Sequence, residues 1–305
     1  MPYYKGYWMV TNRCNLRCSY CVLENAPDQL RAELTLNEKK ELVSHLYHNL
    51  EFRRLTLSGG EVLIFGKHPP KEFLEFLNHI KTFKSDDPEK NLAIEIYTNG
   101  TYLTDDIADS MAGVVERVAV TVDGIQNDFL TSIGRNHRGH TNYFEHIVEV
   151  IQRLSKRGIK IKLHSVVGQK NYKTLPGEVS LILKAVEASG GEIAAWKFFQ
   201  YMSYDAPEKD SLHHIEKDTY ETFTQKVLEN ISPSPIKLHF KDNGEMNASL
   251  FNILSYGNAQ YMRDGDSWTT SKRTRDLREY TSMEDLFQQH DINETRFRKF
   301  HELKP

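Results

Sequence analysis

The chain has 305 residues, 39% of them hydrophobic and 27% charged, and a net charge of −3. That composition fits a soluble globular protein and excludes disorder. No apolar run approaches the ~18 residues of a membrane span, and the charge gives no global case for nucleic acid or an anionic membrane. The opening MPYYKGYWMV lacks the basic start and apolar core of a signal peptide, so a cytoplasmic protein is expected. The chain has three cysteines, Cys14, Cys18 and Cys21, all in one short stretch. An odd, clustered set cannot be a disulfide framework, and in a reducing compartment it points to metal or redox chemistry.

In chain order the first two thirds alternate short apolar strands with amphipathic helices. Strands are expected at Gly6–Val10, Arg54–Ser58, Ala93–Thr98, Arg117–Val122, Ile159–Val166 and Ala194–Phe199. Between them, helices are expected near Asn37–Leu50, Lys71–Phe83, Asp105–Ala112, Tyr143–Lys156 and Leu175–Ser189. Thr35 and Glu38 form a capping box for the first helix, and Gly158 stops another. Six βα units in series predict a parallel sheet with right-handed crossovers.

Within the strands, aliphatic and polar residues alternate, as in Ile159-Lys160-Ile161-Lys162-Leu163-His164. A strand covered by helices on both faces would be apolar throughout. The fold expected is therefore α/β, a partial (βα)6 TIM-like barrel with a wet, charged interior. An antiparallel sheet with one wet face is the alternative, and the intervening helices count against it. Residues 1–200 would form this core and 201–305 an irregular C-terminal extension closing the substrate site. In the extension, Lys237–Lys241 and Ser249–Leu254 have strand character, and the charged stretch 263–279 is expected to be a mobile loop that orders over the substrate as a lid.

The first strand runs into Cys14-x3-Cys18-x2-Cys21, on the rim where βα barrels place their chemistry. Three thiolates can hold three irons of a [4Fe–4S] cluster, leaving one iron open to an exogenous ligand. The alternative is a zinc site completed by a histidine. Further motifs stand at the ends of the next strands: Ser58-Gly59-Gly60-Glu61, Thr98-Asn99-Gly100 and Thr121-Val122-Asp123-Gly124.

In this pattern the chain resembles the radical S-adenosylmethionine (radical SAM) superfamily. The resemblance implies that Cys14, Cys18 and Cys21 hold the cluster and that SAM chelates its open iron. Gly59, Gly60, Glu61, Thr98, Asn99, Thr121, Asp123 and Arg135 would then surround SAM. No cysteine follows Cys21, so the chain lacks thiols for an auxiliary cluster.

Ile133-Gly134-Arg135 with Asn142, Lys162-x-His164-Ser165-Val166-Val167 and Trp196-Lys197-Phe198-Phe199-Gln200 resemble viperin and its prokaryotic relatives. That resemblance covers roughly residues 7–202. It implies dehydration of a nucleoside triphosphate to a 3′-deoxy-3′,4′-didehydro product, a chain terminator suited to antiviral or anti-phage defence. It also implies a flavodoxin- or ferredoxin-type electron donor and substrate contacts at Arg135, Asn142, Lys162, His164 and Lys197. Tyr256 is the candidate late proton or hydrogen donor, with Tyr261 nearby, because the family tyrosine aligns with Leu250. The amphipathic membrane helix of animal viperins has no counterpart before the first strand, so no membrane contact is expected.

The residues themselves suit that role. Convergent lysines and arginines in a partly dry cavity hold phosphates well. Alternatively, Lys162 and Lys197 pair with Glu95 or Asp123 inside the barrel, and Arg138 is surface charge. Two departures stand out: His164 replaces the usual Asn, and Ala195 replaces an Arg. Below a pH of about 6.5, His164 would supply a cation. A metal site at His137 and His140 is not expected, since their loop carries no carboxylate or cysteine. A radical SAM enzyme acting on another nucleotide-like or small anion or a peptide stays open, as does a non-catalytic Fe–S or zinc protein.

Overall fold

The computed structural model describes residues 2–25, 32–136, 142–204, 206–232, 234–266, 268 and 270–303. Strands and helices alternate as β1 (Tyr3–Thr11), α1 (Leu36–His48), β2 (Phe52–Gly59), α2 (Lys71–Ile80), β3 (Ala93–Thr98), α3 (Asp105–Met111) and β4 (Val115–Thr121). Next come α4 (Asn127–Ser132), α5 (Tyr143–Ser155), β5 (Lys160–Val167), α6 (Leu175–Ala188) and β6 (Ala195–Gln200). The extension adds α7 (Pro207–His213), α8 (Lys217–Asn230), β7 (Lys237–Lys241), α9 (Asn243–Ala248), β8 (Phe251–Ile253), β9 (Asn258–Tyr261) and β10 (Lys272–Asp276). It ends with α10 (Met283–Gln289), α11 (Glu294–His301) and the short β11 (Glu302–Leu303).

All strands join one sheet in the order β10-β9-β8-β1-β2-β3-β4-β5-β6-β7, with β11 paired to β1. The run from β8 through β7 is parallel, and β9 and β10 are antiparallel additions. The sheet path ends at β7 and β10 without closing, so the partial βα barrel expected from the alternation is the fold. Its outer face is dry. Leu55, Leu57, Ile94, Ile96, Val118, Val120, Ile161, Leu163, Trp196 and Phe198 are buried in one core with the helices. The opposite face carries Tyr7, Thr56, Glu95, Tyr97, Arg117, Lys162, His164 and Lys197 towards the lumen, the polar half of the alternation.

Local signals act as expected. Thr35 and Glu38 make the full capping box on α1, and Gly158 turns the chain at φ 68° after α5. One expectation is corrected. The stretch 263–279 is not a loop throughout, because 272–276 is β10, antiparallel to β9, and Leu277–Glu279 is a 3₁₀ turn. Arg278 of that turn is held by Asp276 and by Glu41 of α1. This two-strand ribbon lies at the sheet edge, where charged side chains remain solvated and hide the strand signal.

Candidate active site

The cysteine loop follows β1 and is clamped by two neighbouring turns. From β2, the Gly60 and Glu61 amides donate to the Thr11 and Arg13 carbonyls at 2.9 and 2.8 Å. A Cβ on Gly60 would stand 2.1 Å from the Arg13 carbonyl oxygen and 2.9 Å from the Cys14 Cβ. The glycine is needed because the loop lies directly against it. From the turn after α4, Ile133 and Gly134 accept from the Ser19 and Arg17 amides. A Cβ on Gly134 would stand 1.9 Å from the Arg17 carbonyl oxygen. The glycines of two motifs thus admit the loop that presents the thiols.

The Glu61 carboxylate is fully buried at the join of β2 and β3. Its Oε1 accepts from Leu63 N at 3.1 Å and Thr98 Oγ1 at 2.8 Å, and its Oε2 accepts from Asn99 N at 2.7 Å. Four acceptor positions are thereby reduced to one, on Oε2. The Asn99 carboxamide turns the other way, donating to Asn15 Oδ1 at 2.9 Å and Cys14 Sγ at 3.8 Å. Cys14 Sγ also accepts from Leu16 N at 3.4 Å.

Arg135 serves Cys18. Its guanidinium is buried, donates to Cys18 Sγ at 3.6 Å and to the Thr121 carbonyl at 3.1 Å, and lies 3.4 Å from Asp123 Oδ2. Tyr143 Oη accepts from it at 3.2 Å and itself donates to the Asn99 carbonyl. Asp123 is fully buried; its carboxylate also accepts from Tyr20 Oη and, at 2.8 Å, from Val166 N. Sequence motifs did not indicate Tyr143. Tyr20 could have been found, since it lies between Cys18 and Cys21.

Three further residues brace the loop without any motif to mark them. Glu33 Oε1 accepts from Asn12 N and Thr11 Oγ1. His213 Nε2 meets Ser19 Oγ at 2.9 Å, and Lys209 Nζ donates to the Cys21 carbonyl at 2.7 Å. The loop borders a cavity of about 900 Å³ lined by Asn12, Arg13, Cys14, Leu16, Arg17, Cys18, Cys21, Leu23, Glu33 and Ile64.

These residues fit an iron–sulfur cluster. All three cysteines are free, and N–H donors aim at two of the sulfurs, the outer contacts that tune a cluster. Burial pushes the Cys14 thiol up to about 12, so a thiolate there needs a cation such as iron beside it. Among the described residues, no three His, Cys, Asp or Glu side chains converge on a point one ion could fill. Thiolates that each take a different iron need no such point.

The lumen beneath is both aromatic and cationic. His164, 7% exposed, lies edge-on to Tyr97 at 4.5 Å and Phe199 at 5.1 Å. Its Nε2 is buried without a partner. Burial, then Lys197, Lys162 and His239, hold the imidazole well below its usual range. This corrects the expected cation: His164 is neutral at pH 6.5. Lys162 pairs with Glu95 at 3.1 Å, and Arg117 reaches the same carboxylate at 3.4 Å. Lys197 has no ion pair among the described residues; it lies 5.2 Å over the Phe199 ring. Burial, then Lys162 and Lys241, push its ammonium down to about 8.

The other expected residues are placed as follows. Asn142 caps α5, its Oδ1 accepting from Glu145 N. Tyr256 packs with Cys21 against Met9, Leu23 and Leu254, and its Oη accepts from Arg273 at 3.1 Å. Tyr261 Oη is tied to Asp291. His137, Arg138 and His140 lie outside the described residues. No helix among the described residues is long and apolar enough to cross a membrane.

Comparison with known proteins places this geometry. The S-adenosylmethionine-dependent nucleotide dehydratase of Fibrobacter sp. (strain UWH6) is 25% identical over 211 residues, 66% of this chain and 56% of that protein. Fe-coproporphyrin III synthase of Methanosarcina barkeri (strain Fusaro / DSM 804) is 25% identical over 181 residues, 57% of this chain and 40% of that protein. GTP 3′,8-cyclase of Corynebacterium glutamicum (strain R) is 31% identical over 133 residues, 42% of this chain and 33% of that protein. The chain therefore spans from a third to just over half the length of these relatives. Native anSMEcpe with bound AdoMet and Kp18Cys peptide superposes with a TM-score of 0.65 at 14% identity, covering 97% of this chain and 82% of that one. Streptococcus suis SuiB bound to S-adenosylmethionine gives 0.60 at 13%, covering 84% and 59%. At such identities the likeness concerns the fold. The sequence profile of the Radical SAM superfamily matches residues 8–176. It covers more than half of the chain, from β1 into α6, and on it the chain belongs to the radical SAM superfamily, whose enzymes work with a [4Fe–4S] cluster and S-adenosylmethionine.

Proposed function

We propose that this radical SAM enzyme removes water from a nucleoside triphosphate, giving a 3′-deoxy-3′,4′-didehydro nucleotide. The observation that carries this is Lys197, a largely buried lumen cation without an ion-pair partner among the described residues, beside the orphaned Nε2 of His164. Burying an uncompensated charge is costly, so such a site calls for an anion. The resemblance to a nucleotide dehydratase supports the same class of substrate.

In this proposal Cys14, Cys18 and Cys21 hold the cluster, and SAM lies among Gly59, Gly60, Glu61, Thr98, Asn99, Thr121, Asp123 and Arg135. Bound together, cluster and SAM would supply 5′-deoxyadenosyl radical chemistry for hydrogen abstraction from the ribose. Glu61 offers its remaining acceptor position to an ammonium group, and Arg135 adds positive charge beside Cys18. Lys162 and Lys197 bind phosphates, while Tyr97, His164 and Phe199 present ring edges to the sugar and base and exclude water. Arg135 and Asn142 serve the substrate from the rim. Tyr256, beside Cys21, supplies the late proton or hydrogen. Residues 201–305 close the site over the core made by residues 1–200. A flavodoxin or ferredoxin supplies two electrons, one for the cleavage of SAM and one for the substrate radical that has lost its 3′-hydroxyl. That hydroxyl leaves as water with the proton from Tyr256, and the product acts as a chain terminator in antiviral defence.

The test is anaerobic: cluster-reconstituted protein with dithionite and SAM, given CTP, UTP, GTP or ATP in turn. The expected result is 5′-deoxyadenosine release stimulated by one triphosphate, with a nucleotide product lighter by one water. Cys18→Ala should be silent and should lose the visible absorbance of the cluster. Cleavage of SAM indifferent to every nucleotide would overturn the substrate class. It would favour another anion or a peptide, towards which Ala195 and the neutral His164 already lean.

A further inference from the structure

The lumen row that holds Lys197 does not stop at β6. Strand register aligns Thr121 of β4, His164 of β5, Lys197 of β6 and His239 of β7 at one level. At its inner end the row begins at the Thr121 carbonyl, which accepts from Arg135, the residue that contacts Cys18. One level below, Lys162, Ala195 and Lys237 are aligned; one level above, Val166, Phe199 and Lys241. Leu238 and Phe240 pack against the core, so alternation turns Lys237, His239 and Lys241 to the lumen side.

We propose that β7 supplies the outer half of an anion subsite, in which His239 and Lys241 join Lys197 to hold the terminal phosphates of a polyphosphate-bearing nucleotide. This rests on the nucleotide reading above and extends it to residues with no motif of their own. Two independent observations carry it. The first is imbalance of charge. Among the described residues, Glu95 is shared by Lys162 and Arg117, and Lys241 pairs with the exposed Glu245 at 3.3 Å. Lys197 has neither. The second is the His164 Nε2, more than nine-tenths buried, without a partner, in the same row. On the next strand His239 stands level with Lys197, and Lys241 two residues further along the same face.

The mutual electrostatics agree. Apart from burial, Lys197 is destabilised as a cation by Lys162 and Lys241, and His239 by Lys197, Lys162, Lys237 and Lys241. The Lys5 ammonium of β1 is pushed down by burial and Arg54, and then by Lys162 and Lys241. Crowded cations with one shared carboxylate are relieved by a multivalent anion. Ala195 leaves room on β6, and its register partner Lys237 stands on β7.

The test is calorimetric binding of sodium tripolyphosphate to the cluster-reconstituted, SAM-loaded enzyme, with matched iron content and circular dichroism. Removing a charged hydrogen bond should weaken binding about tenfold in Lys241→Gln and several-fold in His239→Gln. Lys241→Arg should restore it, and Lys226→Gln, on the exposed face of α8, should bind like the wild type. Wild-type affinity in both β7 substitutions would overturn the proposal while leaving the nucleotide reading intact. Absence of tripolyphosphate binding to the wild type would also overturn the subsite. The nucleotide reading would then be judged separately by 5′-deoxyadenosine release with the four triphosphates. His239 is exposed, so its substitution tests the proposal even if Lys241→Gln fails to fold.

Discussion

Lys197 is the residue on which the chemistry of the lumen turns, and its protonation gives a prediction with a sign. The ammonium loses its proton near pH 8 in the free enzyme. Burial first, then Lys162, Lys241 and Lys5, favour that loss, and Glu95 opposes it. Anion binding should therefore hold steady to about pH 7 and weaken as pH rises through 8, approaching tenfold per unit. Stability of the free enzyme should move the other way. Between about 8 and the usual lysine range the unfolded chain binds the extra proton, so this residue's contribution favours folding more as pH rises. Titration calorimetry and urea midpoints over pH 6.5–9.5 would check both limbs; a binding affinity flat across pH 8 would remove Lys197 from the anion site.

The strands and helices of the first two hundred residues were legible because each carries one dry and one wet side. In β5, Ile161 and Leu163 enter the core while Lys162 and His164 enter the lumen, and the same rhythm recurs from β2 to β4. Beyond residue 250 the rhythm fails for a physical reason: β10 buries only Thr274 among Lys272, Arg273, Arg275 and Asp276, so it reads as loop. The site was legible where motifs end strands. It was not where a brace comes from elsewhere in the chain, as with Glu33, Tyr143, Lys209 and His213. The turns that clamp the cysteine loop give a paired test. Gly60→Ala forces a Cβ against the Arg13 carbonyl and should sharply lower the iron retained per chain. Gly158→Ala has open space around its Cβ at φ 68°; it should cost about 1–2 kcal/mol of stability and leave iron content unchanged. Iron measured after reconstitution and gel filtration decides between them.

Across the whole molecule, the extension is stitched to the first strand. Phe297 of α11 packs against Tyr4 of β1, Phe251 of β8 and Phe287 of α10. Arg298 donates to Tyr4 Oη at 2.9 Å, and β11 pairs with Tyr3 and Tyr4. Phe297→Ala should cost about 3–5 kcal/mol through lost contacts and a cavity. Because this contact is made at the start of β1, before the cysteine loop, SAM cleavage per bound iron should change little at 20 °C; denaturation monitored by fluorescence alongside that assay would show whether stability and turnover separate. The parallel pairing of Tyr7 and Trp8 with Asn252 and Ile253 has a further consequence, for biosynthesis. At ~5–20 residues per second on the ribosome, the outer edge of β1 waits roughly ten seconds or more for its neighbour after β1 has emerged. During that interval the strand that leads into the cysteines is an open template for wrong partners. Newly made chains are thus most exposed to aggregation, and to loss of the thiols to oxidants, before β8 has been translated.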